Sequence, residues 1–149
     1  ENVPGIIALG KACELALAGL EEENTRVKSL RDKLEKGLLQ SCPDCFVNGD
    51  TPNRLPNTTN ISFEFIEGES ILMMLDQFGI CASSGSACTS GSLEPSHVLR
   101  AMGVPFTAAH GSVRFSLSRY NTEADVDTVI EKIPAIVNRL RELSPFVKT

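Results

Sequence analysis

The stretch GSVRFSLSRY, residues 111–120, indicates the fold class most directly. Apolar residues at 113, 115 and 117 alternate with polar residues at 114, 116 and 118, which predicts a strand with one buried and one solvent-exposed face. Residues 61–65 (ISFEF) repeat the alternation, and residues 45–47 form a short apolar stretch that ends at a turn signal. Strands with one buried and one solvent-exposed face are typical of antiparallel sheets, so we expect a small antiparallel sheet.

Helical periodicity fills much of the remaining sequence. Residues 1–40 predict either one long bent helix or two helices in tandem, with acidic residues 21–23 at the bend. Residues 69–78 predict a helix that Gly79 ends, and a capping-box pattern at residues 122–125 opens the last helix. Helices packed against an antiparallel sheet make an α+β fold, with the helices on one face. Further predicted elements are a short strand at residues 80–82, a short helix after Pro95 and a kink at Pro134.

Length and composition limit the classes of protein that this chain could be. A chain of 149 residues predicts one domain over residues 1–149, and 42% hydrophobic with 22% charged residues is typical of globular proteins. A net charge of −5 argues against a nucleic-acid binder. Five cysteines without framework spacing favour a reducing cytoplasm. Residues 1–4 show no secretory signal, and no uninterrupted apolar run reaches about 20 residues, so we expect no membrane span and no membrane partner.

The most unusual segment is SSGSACTSGS, residues 83–92. Every residue in it is small, so it cannot contribute to a core, and the sequence predicts a mobile, exposed loop. Such surroundings let other groups approach the Cys88 sulfur, which makes Cys88 a candidate nucleophilic thiolate. The alternative is an ordinary cysteine on a surface loop. A phosphate-binding loop is excluded because no lysine follows the second glycine.

Arg114 is the second candidate, because its alternation places it on the wet face of a strand. A guanidinium there can hold a carboxylate through two parallel hydrogen bonds, and the alternative is a solvated arginine. Arg100 and Arg119 have weaker claims, since one lies on a short amphipathic helix and the other at a strand end.

His97 and His110 are the only histidines, and either could serve Cys88 as a base. Neither spacing is diagnostic, which favours a local hydrogen-bonding or capping role for each, although His110, four residues before Arg114, could reach the same pocket. The CPDC motif at residues 42–45 could serve redox chemistry or bind zinc. A structural zinc site needs about four ligands and no second pair is present in the sequence, which favours two ordinary thiols. Residues predicted to be structural, in or near the core, are Cys13, Cys81, Met73, Met74, Met102 and Phe78.

Three stretches of the chain resemble the cysteine desulfurases. They are residues 83–103 (SSGSACTSGSLEPSHVLRAMG), residues 111–120, and residues 55–63 (LPNTTNISF). The resemblance extends over the whole chain. The long cysteine loop is similar to that of the group serving iron–sulfur cluster assembly, and Gly91 together with residues 115–120 is most similar to the nitrogen-fixation branch.

The resemblance implies the C-terminal small domain of a fold-type I enzyme that uses pyridoxal 5′-phosphate. An enzyme cysteine would take the sulfur of L-cysteine as a persulfide, and L-alanine would be released. Cys88 aligns with that cysteine, and Arg114 aligns with the arginine that holds the substrate α-carboxylate. The implied partners are an iron–sulfur scaffold protein as sulfur acceptor, with the Cys88 persulfide a transient ligand of the cluster, and a second subunit in a homodimer.

The chain departs from the family pattern because it has no Ser-x-His-Lys motif and none of its lysines matches the cofactor lysine. We therefore expect the N-terminal cofactor domain to lie outside this chain, and the chain alone to bind no pyridoxal phosphate and to be inactive. The first helix would pack against that domain, so its exposed apolar residues should make the isolated chain self-associate. Two alternatives are a cofactor-free thiol enzyme, in which Cys88 pairs with His97 or His110, and a non-catalytic module that docks a scaffold protein.

Overall fold

The structure is a computed structural model that describes residues 1–85 and 95–145. Its sheet consists of β1 (Cys45–Val47), β2 (Thr58–Phe63) and β3 (Ser112–Ser116), paired antiparallel in the order β1-β2-β3. The predicted antiparallel sheet is thus confirmed. The helices are α1 (Val3–Glu22), α2 (Lys28–Ser41), α3 (Gly68–Asp76), α4 (His97–Ala101), α5 (Phe106–His110) and α6 (Glu123–Leu143).

The core lies between the apolar face of the sheet and helices α2, α3 and α6. Alternation along β2 and β3 points Ile61, Phe63 and Val113 into it, and all three are fully buried. The helices supply residues at three- and four-residue spacings, as the periodicity predicts. These are Leu30, Leu34 and Leu38 from α2, Ile71 and Leu75 from α3, and Val126, Ile133, Ile136 and Val137 from α6.

The first forty residues form one continuous helix, which decides between the two arrangements that the sequence allowed. A π-helical turn, Glu23–Val27, joins α1 to α2 and begins at the last of the three acidic residues. The Asn2 side chain caps the start by accepting a hydrogen bond from the Gly5 amide at 3.1 Å. No residue of α1 is buried within the described part of the chain, and its apolar side chains are exposed. The helix does not fold back over the sheet.

The prediction that no segment is long and apolar enough to span a membrane is wrong by length and composition. The continuous helix Val3–Ser41 contains an 18-residue window of mean hydropathy 1.5, none of it buried. Uninterrupted apolar runs are shorter because Lys11 and Glu14 divide them, and that is why counting runs missed it. A helix that packs against another protein surface can have the same composition.

The last helix follows its sequence closely. The Thr122 hydroxyl accepts from the Asp125 amide at 3.2 Å, and the Asp125 carboxylate accepts from the Thr122 amide at 2.8 Å, so the predicted capping box is confirmed. The helix runs through Pro134 without ending. Val126, Ile133 and Val137 are buried as expected.

Several residues predicted for the core are exposed instead. Helix α3 ends at Asp76, two residues early, so Phe78 falls in the turn before Gly79 (φ 69°) and is 50% exposed. The predicted strand at residues 80–82 does not form. Cys81 therefore lies on an extended segment and is exposed. Cys13 on α1 is exposed as well, and so are Met73 and Met102 on the outer sides of their segments. The structure also contains two features that were not predicted, which are helix α5 and the end of β2 at Phe63 rather than Phe65.

Candidate functional site

Arg114 lies in the middle of β3, with both of its backbone hydrogen bonds made to Ser83 on one side. Its amide donates to the Ser83 carbonyl at 2.6 Å, and its carbonyl accepts from the Ser83 amide at 3.1 Å. On the other side Arg114 stands opposite Asn60 of β2. A residue fixed between two neighbouring segments keeps its Cα–Cβ direction well defined, so the root of the arginine side chain is rigid.

The Arg114 side chain points away from the core, as its alternation predicts. It is exposed, whereas its neighbours Val113 and Phe115 are buried. Within the described residues no carboxylate forms an ion pair with its guanidinium and no acceptor takes a hydrogen bond from it. An unneutralised guanidinium on a rigid strand is suited to bind an anionic group in two parallel hydrogen bonds.

A polar layer lies on the same face of the sheet as Arg114. The Asn48 side-chain amide donates to Asn60 Oδ1 at 2.6 Å and to Ser62 Oγ at 2.8 Å. Ser62 is fully buried and Asn48 is 9% exposed, so this layer is part of the packed structure. Neither Asn48 nor Asn60 stands out in the sequence, because only the strand register places Asn60 beside Arg114 and Asn48 beside Asn60.

Cys88, the predicted nucleophile, lies outside the described residues and stays a prediction. The chain approaches it from Ser83, which pairs with Arg114 and precedes Cys88 by five residues. The Gly85 amide donates to Ser83 Oγ at 3.0 Å, and Gly85 takes φ of 86°, a value that favours glycine. The segment that carries Cys88 therefore starts beside the arginine.

The two histidines have different surroundings. His110 ends α5, where its Nδ1 lies 3.4 Å from Glu67 Oε2 and its ring meets Phe106 edge-on. It lines a cavity of about 440 Å³ together with Phe65 and Ile66, and Arg114 is not among the lining residues. That His110 reaches the same pocket as Arg114 stays a prediction. His97 is exposed at the start of α4.

The other predicted arginine and cysteine candidates are engaged locally. Arg119 donates to the Tyr120 hydroxyl at 3.0 Å and stacks on its ring. The Cys45 thiol donates to the Cys42 carbonyl at 2.9 Å, and burial followed by the proximity of Cys42 raises the pKa of Cys45 to about 11. Burial also raises the pKa of Cys42. Two protonated thiols are poor nucleophiles, which favours the structural interpretation of the motif.

Pyridoxal phosphate, the cofactor that the resemblance implies, needs a lysine placed in a pocket. Among the described residues the lysines lie on helix surfaces instead. Lys33, for example, bridges Glu123 and Asp127 at 3.0 and 2.6 Å, and these contacts raise its pKa. Ion pairs hold Lys11, Lys28 and Lys132 as well, and Lys36 is exposed. The described residues of this chain therefore do not fit the cofactor.

Comparison with known proteins gives a consistent result. The cysteine desulfurase of Gluconacetobacter diazotrophicus is 66% identical over 146 residues, and cysteine desulfurase NifS of Azotobacter vinelandii is 64% identical over the same length. Both alignments cover 98% of this chain but only 36% of the relative. The chain thus spans about a third of the length of these relatives.

Solved structures agree with the fold. A NifS-like protein superposes with a TM-score of 0.79 at 36% identity, covering 94% of this chain and 35% of that one. The NifS-like protein of Rickettsia africae gives a TM-score of 0.79 at 35% identity, covering 93% of this chain and 35% of its own. These likenesses confirm both the α+β fold class and the resemblance to cysteine desulfurases. The family model for aminotransferase class-V matches residues 1–129, and the chain belongs to that family.

Proposed function

We propose that this chain is part of a cysteine desulfurase, in which Arg114 holds the α-carboxylate of L-cysteine and Cys88 receives the sulfur. The observation that carries the proposal is the Arg114 guanidinium, exposed on a strand whose backbone is fixed on both sides and without an acidic partner in the described residues. The names of the two relatives described above support the same activity.

The transfer needs no external oxidant. The Cβ–S bond of L-cysteine breaks, an S–S bond forms to Cys88 Sγ, and the carbon that loses sulfur gains a proton, so that the products are an enzyme persulfide and L-alanine. The role of this chain is to position the substrate through its carboxylate and to carry the sulfur away. Pyridoxal phosphate is the cofactor of the family, and we assign its binding to residues outside this chain, which alone should be inactive.

The sulfur acceptor is proposed to be an iron–sulfur scaffold protein of a nitrogen-fixation system in the cytoplasm, with the complete enzyme a homodimer. The persulfide on Cys88 would then be a transient ligand of the nascent cluster. A cysteine that must serve first a substrate and then a protein partner needs a position where both can approach it, which suits a segment of small residues.

The test uses the complete protein that contains this sequence, with L-cysteine as substrate and with alanine and sulfide as the measured products. Cys88→Ala should abolish alanine formation, whereas Cys13→Ala, which changes an exposed cysteine on α1, should leave it unchanged. Alanine production near the wild-type rate in Cys88→Ala would refute the role of Cys88.

Arg114→Lys replaces a planar fork with a point charge and should lower kcat/KM about 10- to 100-fold, since a hydrogen bond to a charged group contributes about 1.5–3 kcal/mol. The matched control is Arg139→Lys on α6, where the arginine is exposed and pairs with Glu142. An unchanged kcat/KM in Arg114→Lys would remove the arginine from the site.

A further inference from the structure

Asn60 is the residue that stands directly opposite Arg114 in the sheet. The Asn60 carbonyl accepts from the Asn48 amide at 2.8 Å, so the backbone polar groups of Asn60 point towards β1 and away from β3. Asn60 and Arg114 therefore form a non-hydrogen-bonded antiparallel pair. In such pairs the two side chains share one face and approach each other more closely than in hydrogen-bonded pairs.

The orientation of the Asn60 amide is set by its neighbour on the β1 side. Asn48 donates its side-chain amide to Asn60 Oδ1 at 2.6 Å, and Ser62 Oγ accepts from the same nitrogen at 2.8 Å. Because Oδ1 is engaged by Asn48 on the β1 side, Nδ2, at the other end of the amide, is left to donate elsewhere on this face. No hydrogen bond from Asn60 Nδ2 is formed within residues 1–85 and 95–145, and Asn60 is half-buried rather than sealed from solvent.

We propose that Asn60 Nδ2 donates a hydrogen bond to the same carboxylate that Arg114 binds, so that Asn60 is a specificity-determining residue for the α-carboxylate of L-cysteine. This rests on the proposed function. Arg114 supplies the charge, and Asn60 supplies a neutral donor whose direction is fixed by Asn48. Two donors that converge from neighbouring strands select a planar group with two acceptor oxygens over an analogue that lacks it.

Asn60→Asp is the sharpest variant, because it keeps the shape and keeps an oxygen for Asn48 while it removes the donor. It also places a carboxylate beside Arg114, which competes with the substrate. We expect KM for L-cysteine to rise about 100-fold in Asn60→Asp and about tenfold in Asn60→Leu, with a smaller change in kcat, because a ground-state contact is lost. Asn138→Asp, an exposed position on α6, is the control.

A carboxylate-free ligand separates a binding role from a structural one. In the complete enzyme, cysteamine is used as a competitive inhibitor, and the equilibrium affinity for L-alanine is measured by calorimetry. Asn60→Asp should weaken the binding of L-alanine at least tenfold and leave the inhibition constant of cysteamine within about twofold of the wild-type value. Equal weakening of both ligands, or no change in L-alanine affinity in a variant with a wild-type melting temperature, would overturn the proposal. If Arg114→Lys reduces kcat/KM while Asn60→Asp does not, only the role of Asn60 fails, whereas no effect of Arg114→Lys refutes the carboxylate site itself.

Discussion

A half-buried ion pair fastens the loop before β2 to helix α2. Arg54 Nη1 and Nη2 lie 2.7 and 2.8 Å from the two carboxylate oxygens of Glu35, and the Thr59 hydroxyl donates to the same carboxylate at 2.5 Å. The side chains of Glu35 and Arg54 are only 14% and 17% exposed. Arg54→Ala would therefore leave a poorly solvated carboxylate with Thr59 as its remaining donor.

The expected cost follows from that burial. Removing one partner of a buried pair costs about 3–5 kcal/mol, and the residual exposure of both side chains lowers the figure here to about 2–3 kcal/mol. For a chain of this size each kcal/mol shifts the melting temperature by about 2–4 °C, so Arg54→Ala should melt roughly 4–12 °C lower. Arg139→Ala removes an exposed pair with Glu142, 59% and 67% exposed, and should change stability by less than about 0.5 kcal/mol.

Thermal and urea unfolding of the chain, followed by circular dichroism, measures both effects. The double variant Glu35→Gln/Arg54→Met should lose less stability than the sum of its single changes, because no uncompensated charge remains. A loss within about 0.5 kcal/mol of wild type in Arg54→Ala would refute the reasoning.

The stability that the Glu35–Arg54 ion pair contributes should depend on pH, because the Glu35 carboxylate titrates. Desolvation raises the pKa of Glu35, but the hydrogen bonds from Arg54 and Thr59 outweigh it and lower the pKa below its usual value of 4.5. The charged form is thus favoured by folding, so its contribution is present above pH 4.5 and is lost as the pH falls through the folded-state pKa. The stability advantage of wild type over Glu35→Gln should shrink in that range and stay constant above it.

Two further predictions concern glycine and the first helix. Gly111→Ala should destabilise the chain by about 1–3 kcal/mol in urea unfolding, because a Cβ there would lie 2.1 Å from the Phe63 carbonyl oxygen. The control Gly10→Ala should not destabilise the chain, because a Cβ at Gly10 would have no atom within 4 Å. Equal effects of the two substitutions would contradict this prediction. Deleting residues 1–22 should leave the thermal unfolding midpoint within a few degrees of that of the full chain and should reduce self-association in light scattering. The reason is that α1 is apolar and exposed and has no buried residue. A large loss of stability would show instead that α1 supports the core.

The sheet and the last helix could be predicted because local pattern and burial agree there. In β3 each apolar residue is buried and Arg114 is exposed, as period-2 alternation requires. In α6 the capping box fixes the start and the apolar spacing fixes the buried face. Periodicity failed where packing against neighbouring elements decides which side of a helix is buried. Met73, an apolar residue of α3 that was predicted for the core, is 74% exposed because that side of α3 faces away from the sheet.

The candidate site divides in the same way. Arg114 was found from alternation, because a charged residue inside a strand pattern must face away from the core. Asn48 and Asn60 were not found, since each is an ordinary polar residue until the register places Asn60 opposite Arg114 and Asn48 opposite Asn60. Pair partners across strands are set by turn geometry and burial of the whole sheet, which a single strand does not encode.

The proposed reaction makes opposite demands on its two residues, and their positions in the chain meet them. A residue that holds a carboxylate gains from rigidity, because a fork that is already oriented loses little freedom when the substrate binds. Arg114 is placed accordingly, between Ser83 on one side and Asn60 on the other. A residue that carries sulfur from a substrate to a protein partner must be approached by both, and the small residues around Cys88 suit that need. Ser83 belongs to both parts, so the hydrogen bonds that fix the arginine also fix where the cysteine segment begins, and changing this junction should affect substrate affinity and sulfur transfer together.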